Sequence, residues 1–210
     1  MKKHKLYISP KILPSIAGLY TEPNRVFMEY IDNSLDSAAD YYLVEEGDYS
    51  RKILIKIKKK GKNYRNYKIS FIDNCKGMDT ENLLRIIKEV GNSNKKAQTW
   101  TNGQFGFGVY AFLAVCSKIT FITKEKGKNP IKIEISEDKI IGESEHYFPD
   151  PKILKPKKFP FESGTIVTLS KFKKDACKVI DLNELRIEIE KHFELFLNRK
   201  KLEIELEDEL

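Results

Sequence analysis

Apolar positions recur along this chain with two different periods. From Asn24 to about Glu46, residues Val26, Phe27, Tyr30, Ile31, Leu35 and Ala38 form one stripe at helical spacing, which predicts a helix capped by Asn24. From Lys52 to Lys58 isoleucine and lysine alternate, the period of a half-buried strand. Tyr67 to Ile72 predicts a second strand, joined to the first by a hairpin through Gly61, Lys62 and Asn63. Asp79 or Thr80 can cap a helix that runs to about Glu89. The longest apolar run, Val109 to Cys116, predicts a well-buried helix that starts at Gly106 or Phe107. Ile119–Thr123, Ile131–Ile135 and Thr165–Leu169 read as strands, Leu182–Leu197 as a helix, and Leu202, Ile204 and Leu206, alternating with acids, as a last strand. This order predicts an α+β fold, with an antiparallel-rich sheet and helices on one face. The last strand reaches the C-terminus with no closing turn. Residues 1–200 therefore read as one domain and 201–210 as the start of a following element.

Two segments carry dense loop signals: Gly91–Gly103, polar except for Ala97 and Trp100, and Phe148–Pro160, with four prolines. Structureless connections of that length tend to be lids or binding loops. Composition narrows the class further. With 40% hydrophobic and 33% charged residues over 210 positions, the chain can bury a core, which excludes wholesale disorder. No apolar run approaches the roughly 20 residues of a membrane helix, and the basic start Met1–Lys5 leads into no apolar signal segment. Cys75, Cys116 and Cys177 are odd in number and widely spaced, which suggests neither a disulfide framework nor a zinc site and fits a reducing, cytoplasmic setting. The net charge of +7 is compatible with nucleic-acid contact. Only six of the 38 basic residues are arginine, however, and base-edge reading favours the planar guanidinium, so the lysines read mostly as solvated surface.

Four segments bear candidate chemistry. Glu29, Asn33 and Asp36 stand at i, i+4 and i+7, so a helix places them on one face, with Asp32 alongside. An amide oxygen there can bind Mg²⁺ and a carboxylate one turn away can polarise water, although the same residues would also suit an ordinary solvated face. Phe71–Asp79 is a strand ending in Asp73, followed by a turn with Gly77 and Met78 and then a new helix. Asp73 can accept a hydrogen bond from an exocyclic amine, or Asp73 and Asn74 can serve turn chemistry alone. Gly103-Gln104-Phe105-Gly106-Phe107-Gly108 precedes the Val109 run, so backbone N–H groups can approach phosphate oxygens there; a plain hinge is the alternative. The spacing is neither that of a dinucleotide fingerprint nor that of a P-loop. Gly164-Thr165 entering an apolar strand is weak alone.

Together and in this order, the four segments resemble the GHKL, or Bergerat-fold, ATP-binding superfamily, which includes the gyrase B subunit, MutL, 90-kDa heat-shock chaperones, MORC proteins, type IIB topoisomerases and sensor histidine kinases. Glu29, Asn33 and Asp36 are similar to its E-x-x-x-N-x-x-D helix, Asp73–Gly77 to D-x-G-x-G, Gly103–Gly108 to G-x-x-G-x-G, and Gly164-Thr165 to its last motif. The resemblance spans roughly residues 15–200 and implies a two-layer sandwich. It implies Glu29 as the general base for water, Asn33 as the Mg²⁺ ligand, and Asp36 on the nucleotide side of the same helix. Asp73 would accept the adenine amino group, supported by Thr165, with Gly77 and Met78 in the turn below it. Gly103, Gln104, Phe105, Gly106, Phe107 and Gly108 would wrap the phosphates. Residues 91–102 would be the lid, with Asn94 and Lys95 offering an amide and a cation to phosphate.

Cys75 stands where the motif usually has its first glycine, which would crowd the turn if it needed positive φ. The expected activity is binding of ATP with Mg²⁺, lid closure, a nucleotide-dependent homodimer and slow hydrolysis, in the service of a DNA or protein client. The chain departs from a histidine kinase in that His4, His146 and His192 lie in no phospho-acceptor setting. An ATP-responsive module without turnover, a histidine-kinase-type catalytic domain and a basic nucleic-acid-binding domain are the competing readings.

Overall fold

The computed structural model describes residues 3–5, 12–43, 47–88, 108–141, 147–155 and 159–209. Along the chain lie β1 (Lys3–Lys5), α1 (Ile12–Gly18), α2 (Pro23–Ala38), β2 (Tyr42–Leu43), β3 (Asp48–Tyr49), β4 (Ile53–Lys60), β5 (Lys68–Asp73) and α3 (Thr80–Lys88). A 3₁₀ segment, Gly108–Ala114, is followed by β6 (Cys116–Lys124), β7 (Ile131–Ser136), α4 (Glu137–Ile141), β8 (Tyr147–Pro149), β9 (Lys152–Ile153), β10 (Gly164–Phe172), α5 (Lys174–Lys178), α6 (Leu182–His192), α7 (Glu194–Leu197) and β11 (Leu202–Glu209). Seven strands form the main sheet in the order β11-β4-β5-β10-β6-β7-β9, antiparallel throughout except for the parallel pair of β11 with β4. The fold is thus α+β with a mixed, mostly antiparallel sheet. No helix among the described residues is long and apolar enough to cross a membrane.

Alternation along each strand gives the sheet one buried face. Ile57, Phe71, Val167, Phe121 and Ile133 stand opposite one another across five strands, all buried. α2 covers this row with Phe27 and Tyr30, whose rings lie 5.9 and 5.2 Å from that of Phe71. The other face is half exposed and carries Lys56, Lys58, Ser70, Thr168, Thr120 and Glu134. At its edge β11 sets an acidic row beside the lysines of β4: Lys58 meets Glu207 at 2.6 Å and Lys59 meets Asp208 at 2.8 Å, while Lys52 pairs with Glu203. Exposed pairs of this kind contribute roughly 0–1 kcal/mol each, so they set register more than stability.

Several expected boundaries move. The helix expected from Asn24 to Glu46 ends at Ala38, and the chain then passes through a 3₁₀ turn into the small hairpin of β2 and β3, where Gly47 adopts φ +66°. Glu22 takes the cap position instead of Asn24, because Pro23 opens the helix with its φ preset and no N–H to satisfy. Asn24 is buried. The helix expected to reach Cys116 is a tighter 3₁₀ segment, and Cys116 already belongs to β6. The helix expected over Leu182–Leu197 is capped by Asp181 and breaks at Phe193, whose backbone leaves helical geometry as its ring turns into the core. The proline-bearing stretch 148–160 holds most of β8 and all of β9, short strands on sheet edges where proline is tolerated. Leu202–Glu209, read from the sequence as the start of a following element, is hydrogen-bonded into the main sheet.

Phe71 packs against two aromatic rings of α2 and is a main apolar contact between that helix and the sheet. Phe71→Ala is expected to cost about 3–5 kcal/mol in chemical denaturation, and a loss below about 1 kcal/mol would mean that the helix is held elsewhere.

Candidate functional site

One row of the buried sheet face is polar. Asp73 ends β5, with Thr165 opposite it on β10 and Thr123 opposite Thr165 on β6, between Ile55 on one side and Ile131 on the other. All three are buried, Asp73 to 4% exposure. Asp73 Oδ1 accepts the N–H of Cys75 at 2.9 Å and that of Thr165 at 3.2 Å. Ser34 Oγ, on α2, lies 3.4 Å from Asp73 Oδ2 and 3.2 Å from the Tyr30 carbonyl oxygen, so its one proton serves either acceptor. Burial pushes the Asp73 carboxyl up to about 6, against the pull of the Cys75 and Thr165 N–H groups and the Ser34 hydroxyl. It is still largely ionised at neutral pH, an acceptor on the buried face.

The turn after Asp73 is shaped by two glycines. Gly77 has φ +73°, and a Cβ there would run into the backbone carbonyl of Lys124. Gly164 has φ +141°, and its Cβ would collide with the Asp73 carbonyl. Neither position can carry a side chain without moving a strand. Met78, half buried, donates its N–H to Thr123 Oγ1 at 2.9 Å, and that hydroxyl lies 3.2 Å from the Gly164 carbonyl and 3.0 Å from Thr165 Oγ1. Cys75 does not crowd the turn. Among the described residues Lys171 alone is a non-glycine with positive φ, and the Cys75 thiol is buried with its sulfur 3.6 Å from the Ser34 carbonyl oxygen. Burial pushes that thiol well up, so it is a small filler rather than a nucleophile. Asn74 fastens the turn to β4, accepting from Leu54 N–H at 2.9 Å and donating to the Lys52 carbonyl at 3.1 Å. Arg51 donates to the Asn74 carbonyl, and Lys76 pairs with Asp40 beyond the end of α2.

At the other end of the site, α2 brings Glu29 and Asn33 to Gly108. A Cβ on Gly108 would lie 2.7 Å from Glu29 Oε2 and 3.7 Å from Asn33 Nδ2. Asp36 is half buried one turn further on. The Tyr20 hydroxyl donates to Glu29 Oε1 at 3.0 Å, and burial together with the Glu29 charge and hydrogen bond pushes the Tyr20 phenol well up. The 3₁₀ segment is held in place from both sides. Phe112 N–H donates to the Tyr30 hydroxyl at 3.1 Å, and the Tyr110 hydroxyl donates to the Ile87 carbonyl at 2.8 Å.

Of the residues expected at the site, Glu29, Asn33 and Gly108 come together at one end, and Asp73, Thr165, Gly77 and Met78 at the other, with α2 running between. Asn94, Lys95, Gly103, Gln104, Phe105, Gly106 and Phe107 lie outside the described residues, as does the lid segment 91–102. Three further residues contribute to the site: Thr123, Ser34 and Tyr20. Thr123 was legible, since it is in phase with Ile119 and Phe121. Ser34 stands mid-helix, where serine is a poor helix former, and nothing else in the sequence marks it. Tyr20 carried no sequence signal.

A family model described as histidine kinase-, DNA gyrase B-, and HSP90-like ATPase matches residues 20–174. No curated protein matched the chain.

The buried Asp73 carboxyl gives the fold a distinctive pH dependence. Between about pH 4 and pH 6 the folded protein holds a proton that the unfolded chain releases. The contribution of this group is therefore greatest below pH 4 and falls by about 2–3 kcal/mol as pH rises through 6. Asp73→Asn keeps an acceptor for both N–H groups and is expected to remove that part of the slope. Urea midpoints of both proteins from pH 4 to pH 7 check this, and parallel curves would assign the slope to another group.

Proposed function

Since this chain belongs to the histidine kinase-, DNA gyrase B-, and HSP90-like ATPase family, we propose that it binds ATP with Mg²⁺ between α2 and the polar row of the sheet and hydrolyses it slowly. The observation that carries this reading is the meeting of Glu29 and Asn33 with Gly108, where a side chain would fill the space in front of the Glu29 carboxylate. Glycine leaves the backbone approachable at the end of the phosphate-binding motif, as phosphate contact requires. Asp73 fits the base. It is a buried, mostly ionised acceptor whose Oδ1 is already taken by two N–H groups, with Oδ2 toward the hydroxyl of Ser34. The adenine amino group would donate to Asp73, with the Thr165 and Thr123 hydroxyls beside it.

The donor set also suits the metal: an amide on Asn33 next to the Glu29 carboxylate is oxygen chemistry for a hard cation. Mg²⁺ held by Asn33 would draw charge from the phosphates. Glu29 Oε2 would take a proton from water as the water oxygen bonds to the γ-phosphorus and the bridging oxygen leaves with ADP. Lys95 and the glycines of 103–108 would hold the phosphates and order residues 91–102 into a closed lid. The lid would then offer a surface to a second copy, by as much as the nucleotide prefers the closed state. The free thiols Cys75, Cys116 and Cys177 support placing this machine in the cytoplasm. A DNA or protein client would be what its motion serves.

Thermal unfolding with Mg²⁺ and a non-hydrolysable ATP analogue tests binding. An analogue at about 100 times its Kd should raise the midpoint by about 5–10 °C, and Asp73→Asn should abolish the rise. An unmoved wild-type midpoint at millimolar analogue overturns the reading. Glu29→Ala should keep the thermal shift while turnover falls at least about tenfold. Unchanged turnover would remove Glu29 as the base and leave an ATP-responsive binding module.

A further inference from the structure

The hydrogen bond from Tyr20 to Glu29 is not absorbed by the function above. Tyr20 stands between α1 and α2, its backbone N–H held by the Ala17 carbonyl at 3.2 Å and its ring packed on the core. Its hydroxyl occupies Glu29 Oε1 at 3.0 Å, while Oε2 is the oxygen nearest Gly108. The two oxygens of one carboxylate therefore face different surroundings, and the phenol decides which faces which. A side chain with three rotatable bonds would otherwise sweep several rotamers.

The geometry points to Tyr20 as a positioning residue for Glu29: by donating to Oε1 it fixes the carboxylate with Oε2 toward Gly108. The catalytic part of this rests on the hydrolytic reading of Glu29 given above. Neighbouring polar groups on the packed elements have other engagements. α1 has no titratable side chain, and the only one in the 3₁₀ segment is Tyr110, whose hydroxyl is engaged by the Ile87 carbonyl. On α2, Tyr30 is buried and its hydroxyl accepts from Phe112, while Arg25, one turn before Glu29, is exposed.

The test uses Tyr20→Phe, which removes one oxygen and keeps the ring. In turnover, kcat should fall several-fold with analogue affinity unchanged, and adding Tyr20→Phe to Glu29→Ala should lower kcat no further. In the reverse direction, in protein labelled with ¹³C at the tyrosine Cζ, Glu29→Gln should shift the Tyr20 Cζ resonance at neutral pH as the hydrogen bond weakens. This second measurement stands even if Tyr20→Phe folds poorly. An unmoved Tyr20 resonance overturns the proposal, and so does a Tyr20→Phe protein with the kcat of wild type. If the resonance moves but wild type hydrolyses no ATP, the hold of Tyr20 on Glu29 stands and the hydrolytic reading falls.

Discussion

A carboxylate shut away from water must find donors or give up its charge, and the end of β5 is arranged around that demand. Asp73 draws in the Thr165 N–H, which requires β10 to lie beside β5 in one register. That approach is so close that position 164 can carry no Cβ. The Cys75 N–H curls the chain back over the same oxygen, and Gly77 lets the curl pass under the Lys124 carbonyl. Ser34 completes the set from above and, with it, sets the rotation of α2 about its axis. With α2 turned that way, Glu29 and Asn33 come to rest beside Gly108. The two ends of the site are therefore linked through one helix whose rotation a buried acid helps to dictate.

The elements that carry these groups are cross-tied outside the site as well. Arg51 and Lys76 join the turn after β5 to the region following α2, with the Arg51 guanidinium 4.7 Å from the Tyr41 ring centroid. Arg199 lies over Tyr42 at 4.0 Å, Phe196 at 4.6 Å and Tyr49 at 5.0 Å, and donates to the Tyr49 hydroxyl at 2.6 Å, which fastens the β2–β3 hairpin to the start of β11. These cation–ring contacts are each worth about 0.5–2 kcal/mol, more where water is excluded. Tyr42 and Tyr49, with Arg199, thus form a clamp between the end of α2 and the C-terminal strand.

Much of this was legible because strands advertise themselves by alternation. Ile53–Lys60 and Ile131–Ser136 show it plainly, and the core-facing series Ile69, Phe71, Asp73 announces its own exception. The same logic reaches Thr123 through Ile119 and Phe121, and Thr165 through Val167 and Leu169, so the polar row was written in phase on three strands. Helix ends were less legible. Nothing in the run Ala38–Glu46 forbids a helix locally; the stop comes from tyrosines that have better partners elsewhere, such as Tyr42 against Tyr49 and Arg199. The 3₁₀ form of Gly108–Ala114 follows from anchoring at Tyr30 and Ile87, contacts made across long sequence separations. Tyr20 was invisible for the same reason, since its hydroxyl matters only once α1 has turned the chain toward Glu29.

The parallel pairing of β4 with β11 bears on how the protein is made. Lys56 and Glu207, 151 positions apart, are neighbours on adjacent strands. As the chain leaves the ribosome, β4 can find β5 almost at once, but its other edge has no partner until residues 202–209 have emerged. Throughout that interval an eight-residue ribbon of unpaired backbone faces the crowded cell. Lysines at 56, 58, 59 and 60 guard it, since their mutual repulsion discourages another copy from docking there. The arriving glutamates of β11 then turn the same charges into attraction, so one set of lysines first keeps the edge open and afterwards selects the strand that closes it.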